Sequence, residues 1–330
     1  MAKIVLSLGA SHGPLTHLDA SQWLERAKDD MQSGSLNTID GRMVSYAELV
    51  AERGEPYAQQ ASVEHLTEQA HGVQRAIARL ADELEAAAVD LVVVVGDDQG
   101  ELFGPDNMPA ISVFYGDKIA THPWENAERL PSFWKPVLEG CGLDDFHVYP
   151  GAPEHAQRII ESLIEQHVDV AAAAMVADPT KRGFGHAFGF VAERLYRERQ
   201  IPMVPVLLNT YFPPNAPTPG RCYAIGRALR AAIDALPSDL RVALVASGGL
   251  SHFLCEEALD RQVLDAIKRN DEAALAALPR KALLSGSSEI LNWITVAGAS
   301  RDLPMEWVEY LPVYRTPAGT GIGMAFAVWK

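Results

Sequence analysis

The sequence predicts an α/β fold, a single domain of 330 residues with a mixed central sheet and helices on both faces. Three observations lead there. Short apolar runs rich in Val, Ile and Leu alternate with amphipathic stretches at helical spacing, the pattern of strands sandwiched between helices. The chain is 48% hydrophobic, enough to bury a sizeable core. No internal repeat, low-complexity tract or interdomain linker divides it.

Ile4–Leu8, Leu91–Val95, Ile111–Phe114, Val204–Leu208 and Val242–Ala246 read as buried strands, because their apolar runs do not alternate with polar residues. The clearest helix runs from about Ser62 to Ala88, with Leu66, Ala70, Val73, Ile77, Leu80 and Leu84 on one stripe. Further helices are expected over Glu154–Gln166, Ala187–Gln200, Arg221–Ala235 and Glu256–Lys268. Trp307–Tyr314 and Ile322–Val328 read as a hairpin, with Gly319, Gly321 and Gly323 at its turn. Asn209–Gly220 carries four prolines (Pro213, Pro214, Pro217, Pro219) and reads as a stiff loop leaving a strand. The polar stretch from about Gln32 to Pro56 is expected to cap one end of the sheet.

Charge narrows the function. Lys and Arg total 28 against 43 Asp and Glu, a formal charge of −15, which repels nucleic acid and anionic membranes. No apolar run reaches the roughly 18 residues of a membrane span, and Lys3 to Leu8 is too short for a signal peptide. Cys141, Cys222 and Cys255 are too few and scattered for a disulfide framework, so a reducing, cytoplasmic setting is expected.

In sheets of this kind, chemistry collects where strands end. His12 follows the first strand in Gly9-Ala10-Ser11-His12-Gly13-Pro14. Asp97, Asp98 and Gln99 follow Leu91–Val95, and His252 closes Ser247-Gly248-Gly249-Leu250-Ser251-His252 after Val242–Ala246. His186, in Gly185-His186-Ala187, reads either as a helix N-terminal residue packed among aromatics or as a histidine kept neutral by the helix dipole. Glu289, in Ser287-Ser288-Glu289-Ile290, reads either as ordinary capping chemistry or as a buried acid of the site. There is no P-loop, no HExxH and no GxSxG.

Taken in order, these segments resemble the LigB-type class III extradiol ring-cleaving dioxygenases along nearly the whole chain. The resemblance rests on Ser11-His12-Gly13-Pro14, on Val92–Gln99 with Phe103 and Asn107-Met108-Pro109, and on Gly185-His186-Ala187. It continues through Arg221-Cys222-Tyr223 after the proline-rich loop, Gly248–His252, Glu289–Trp293 and Gly321-Ile322-Gly323. It implies a LigB-like fold and a non-haem Fe(II) site that cleaves a catechol-type ring, protocatechuate- or gallate-like, with dioxygen. Carried over by position, His12 and Glu289 would be metal ligands, His252 the acid/base and His186 a second histidine polarising a substrate oxygen. Where the family has its second histidine ligand this sequence has Gln99, a weaker neutral donor, and His17 is the nearest alternative nitrogen. Arg182 and Arg221 are the loop cations expected to meet a substrate carboxylate. The resemblance also implies self-association or a small separate subunit. Two other readings have distinct observables: a LigB fold with little or no iron that binds a small ligand or partner, and a zinc-dependent relative.

Overall fold

The computed structural model describes residues 1–330 except Ser238. Its centre is a nine-stranded sheet of β1 (Lys3–Ala10), β2 (Leu91–Asp97), β3 (Ile111–Phe114), β4 (Ala171–Ala173), β5 (Met203–Leu208), β6 (Arg241–Ser247), β7 (His252–Leu254), β8 (Met305–Tyr314) and β9 (Thr320–Trp329). The order is β7-β9-β1-β6-β2-β5-β3-β4, with β8 also paired to β9. The run β1-β6-β2-β5 is parallel, while β9 joins it antiparallel at one side and β3 at the other. The mixed sheet expected from the sequence is what forms.

Both faces of the sheet are covered, and the strand period of two assigns each residue to its face. Leu91, Val93 and Val95 of β2 pack into one core cluster, and Val92 and Val94 into the other. On the first face lie α3 (Pro153–Glu165), α5 (Pro219–Asp234), α6 (Glu257–Lys268) and α7 (Ile290–Ala299). On the second lie α1 (Ala20–Asp30), α2 (Val63–Ala86) and α4 (His186–Phe190). Local signals set the helix starts. Asp19 and Gln22 form a capping box at α1, and the hydroxyls of Ser62 and Thr218 accept from backbone N–H groups at α2 and α5.

Two expectations need adjusting. The helix read over Ala187–Gln200 stops early: α4 runs into a π-helical turn at Val191–Leu195, and Arg197 and Glu198 have positive φ (49° and 67°). The apolar pattern there continued past the point where the backbone leaves the helix. The Gln32–Pro56 stretch carries the small hairpin Leu36–Asn37/Met43–Val44 and the helix Tyr46–Arg53. Its Leu36, Val44 and Leu49 pack on Leu254 and Ala318, so it does lie over one end of the sheet. Among the described residues no helix is long and apolar enough to cross a membrane, and all three cysteines are buried and free.

The topology gathers the candidate residues. β1, β6 and β2 are neighbours running the same way, so the residues after Ala10, Ser247 and Asp97 emerge side by side. α7 lies across these strand ends. Its Trp293 donates its indole N–H to Gly248 O at 2.7 Å and rests on Gly9, where a Cβ would come within 2.2 Å of the ring. Gly9→Ala is therefore expected to cost about 1–3 kcal/mol of stability by overpacking. Denaturant unfolding checks this, and a Trp293→Leu change in the Gly9→Ala background should recover part of the loss.

Candidate metal centre

His12, Gln99, His186, His252 and Glu289 all line one cavity of about 310 Å³. Its other walls are largely apolar, including Leu15, Trp124, Trp134, Val137, Leu138 and Leu143. A space of this size and character suits one substituted aromatic ring.

The hydrogen bonds fix the tautomers. Ser247 Oγ donates its one proton to Ala187 O at 2.6 Å, so towards His12 Nδ1, 2.9 Å away, it acts as acceptor. His12 thus carries its proton on Nδ1 and turns a bare Nε2 lone pair inward. That atom is buried without a hydrogen-bond partner and lies 3.4 Å from Glu289 Oε2. His186 is oriented the same way: Nδ1 donates to Glu101 Oε1 at 2.7 Å, leaving Nε2 towards the site. A carboxylate behind a histidine is how proteins aim an imidazole at a metal.

The donor atoms of His12, His186 and Glu289 lie within 4.8 Å of one another. The His12 Nε2 lone pair is buried without a partner beside a buried carboxylate, an arrangement that a cation between them would complete. The donor set suits a borderline divalent metal such as Fe(II), Zn(II) or Mn(II). The residues fit the group that the family resemblance implies.

Glu289 is the hub. It is 2% exposed, and Oε2 accepts from Gly249 N at 2.6 Å while Oε1 accepts from Gln99 Nε2 at 3.1 Å. His252 Nε2 lies 3.3 Å from Oε1. Burial opposes ionisation of Glu289, but His252 beside it outweighs burial and holds the carboxyl well below its usual range. Asp97 goes the other way: burial, reinforced by the nearby Glu289, pushes its carboxyl up. Asn292 donates to Asp97 Oδ1 at 3.1 Å and Gln99 to Asp97 Oδ2 at 3.0 Å.

His252 stands at the start of β7 with Nδ1 donating to Leu250 O at 2.9 Å, which turns Nε2 into the cavity. Its backbone is tied to Ser287 Oγ in both directions. The ring lies against Gly286, where a Cβ would fall 1.9 Å from Cδ2, so the glycine is required there. The helix-dipole expectation for His186 does not hold. Burial does disfavour its cation, but Glu101 outweighs burial and lifts the imidazole to about 9.

Not every candidate reaches the cavity. His17 is turned away: Arg194 Nη1 donates to its Nδ1 at 2.7 Å, and its Nε2 faces Cys141 Sγ at 3.5 Å. Burial, with Arg194 beside it, lowers the imidazole to about 3. Arg182 pairs with Asp106 at 3.6 Å over an adjoining cleft, and Arg221 sits in the first turn of α5; neither lines the cavity. The cavity's cations are instead Arg26 and Arg315, which the sequence reading passed over. It also passed over Glu101, although its place two residues after Gln99 in a strand-end loop was a usable signal.

Two outcomes follow. Glu101→Gln should weaken divalent-metal binding roughly 10- to 100-fold, the usual loss when a supporting carboxylate is removed. His17→Gln should leave metal affinity unchanged, since both ring nitrogens are engaged elsewhere. A Co(II) titration read by visible absorption checks both. His17 should also remain neutral from pH 5 to 8 in a histidine NMR titration. With its folded value below the unfolded one, the unfolded chain takes up the extra proton, so His17 withdraws stability as pH falls from about 6.5 towards 3.

Comparison with known proteins shows the family. The chain matches the family described as the catalytic LigB subunit of aromatic ring-opening dioxygenase over residues 58–325, a span that contains Gln99, His186, His252 and Glu289 but not His12. It is 40% identical to gallate dioxygenase of Pseudomonas putida over 93 residues, 25% of this chain and 27% of that one. It is 26% identical over 185 residues to the 2,3-dihydroxyphenylpropionate/2,3-dihydroxicinnamic acid 1,2-dioxygenase of Comamonas testosteroni, 54% of this chain and 48% of the relative. The matches thus span about a quarter and about half of these relatives' lengths. With the family's pattern covering most of the sequence, the chain belongs to the catalytic LigB subunits of aromatic ring-opening dioxygenases.

Proposed function

We propose that this protein is an Fe(II)-dependent extradiol dioxygenase that opens a catechol-type ring, protocatechuate- or gallate-like, with dioxygen. The observation that carries the reading is the cluster of His12, His186 and Glu289, whose potential ligand atoms lie within 4.8 Å of one another on the wall of a ring-sized, largely apolar cavity. Family membership supplies the reaction class. In this reading the second nitrogen comes from His186 and not from the Gln99 position. The Gln99 amide instead donates to Asp97 and Glu289, which holds the carboxylate in place.

His12, His186 and Glu289 would hold Fe(II), which when bound would supply the redox chemistry that lets a diol react with dioxygen. The chain's own part lies around that point. The apolar wall excludes water and seats the ring. His252, whose Nε2 faces the cavity and whose Nδ1 is anchored on Leu250 O, holds and returns a proton at Nε2 as the ring opens. Glu101 keeps the His186 ring aimed inward. Tyr211, from the proline-rich loop, also lines the cavity.

The test is anaerobic reconstitution with Fe(II), followed by oxygen uptake over catechol, protocatechuate, gallate and O-methylgallates. Consumption of dioxygen in step with a ring-opened product is expected. Zn(II)-supported turnover without oxygen uptake would favour the zinc-dependent alternative, and a protein that takes up no metal would favour the binding role. His252→Ala should keep its iron and lose roughly 10²–10⁴-fold in rate. Iron lost together with activity would show that His252 is a ligand. Glu289→Ala should lose the iron itself while remaining folded, as metal analysis and thermal melting together will show.

A further inference from the structure

The ring-opening reading leaves open what the cavity does with a charged substituent on the ring. Glu289 is engaged with the histidines. The remaining ionised side chains on the wall are Arg26 and Arg315. Arg315 begins the turn between β8 and β9 and is 6% exposed. Its Nε donates to Asp30 Oδ2 at 2.7 Å, and the same carboxylate accepts from Thr320 Oγ1 at 2.8 Å. Arg26 Nη1 lies 3.3 Å from Asp30 Oδ1. One buried carboxylate therefore stands behind two guanidinium groups. The other acid nearby, Asp29, is 60% exposed to solvent at its side chain, so it neutralises little within the cavity.

The two terminal nitrogens of Arg315 are the unusual feature. Among the described residues neither has a hydrogen-bond partner, since only Nε donates to protein. Arg315 itself lines the cavity wall. A guanidinium with its Nε edge held by Asp30 offers its end-on fork to a planar anion, the geometry in which arginine binds a carboxylate through two bonds. Register relates this anchor to the site. Ile322 of β9 pairs with His252, and Thr320, two residues along on the same face, holds Asp30. Arg315's anchor and His252 therefore stand beside the same stretch of β9.

We propose that Arg315, positioned by Asp30 and Thr320 and assisted by Arg26, is the specificity residue that binds an anionic substituent of the ring substrate. This rests on the ring-opening reading and goes further by assigning the charge recognition to residues other than Arg182 and Arg221. The carboxylate would occupy the Arg315 fork while the diol end of the ring faces His12, His186 and Glu289.

The test is calorimetric titration under argon with 3,4-dihydroxybenzoate and with catechol, on both Fe(II)-loaded and metal-free protein. Wild type should bind the carboxylated diol roughly 10- to 100-fold more tightly, the equivalent of charge-assisted hydrogen bonds. Arg315→Gln should remove most of that preference and leave catechol binding unchanged, and Arg26→Gln should narrow it less. Arg315→Gln also leaves Asp30 short of a partner in the interior. The charge-neutral double variant Asp30→Asn/Arg315→Gln therefore serves if the single one does not fold. Equal binding of the two diols by wild type, or a preference kept in full by Arg315→Gln or by the double variant, overturns the proposal. Failure of catechol to bind the Fe(II)-loaded protein, with the preference intact on metal-free protein, would count instead against the metal reading and leave Arg315 standing.

Discussion

Burying an unpaired carboxylate costs several kcal/mol, and Glu289 is buried to 2% exposure at the meeting point of three histidines. Its surroundings can be understood as what makes that position tolerable. Gly249 N–H and the Gln99 amide donate to it, and His12 and His252 face it from two sides. Those donors leave His12 Nε2 without a partner, and a divalent cation would satisfy that lone pair and the carboxylate together.

The fold places these groups on strand ends and on a helix seated across them. Adjacent parallel strands deliver His12, the Asp97–Glu101 loop and Gly248–His252 to one edge. α7 brings Glu289 across that edge and is held there by Trp293 on Gly9 and Gly248 and by Asn292 on Asp97 and Ser247. A shift of α7 would move the carboxylate and the loop that holds its partners together, because Asn292 and Gln99 grip the same Asp97. The buried Asp30–Arg315 pair does the same for the hairpin turn, tying the end of α1 to the strands that carry His252's neighbours.

Much of this was legible in the chain. Strand runs such as Leu91–Val95 announce themselves because both faces are buried, and His12, His252 and Glu289 stand in short motifs whose neighbours also touch the site. The partners that decide each role were not legible. Asp30 and Arg315 are 285 positions apart, Asp97 and Asn292 are 195 apart, and Glu101 meets His186 across 85. No periodicity links such pairs; only the topology does. The same holds for Ser247, whose bond to Ala187 O sets the His12 tautomer. The helix expected to run to Gln200 failed for a local reason, the positive φ of Arg197 and Glu198, which an apolar pattern does not register.

The claim on which the account turns is that two imidazoles, from His12 and His186, share a metal with Glu289. X-ray absorption at the iron edge of the Fe(II)-reconstituted protein tests it most directly, comparing wild type with His186→Ala. The account predicts scattering from two imidazole rings in wild type and from one in the variant. Two rings retained in His186→Ala would contradict it and give the second nitrogen to another histidine.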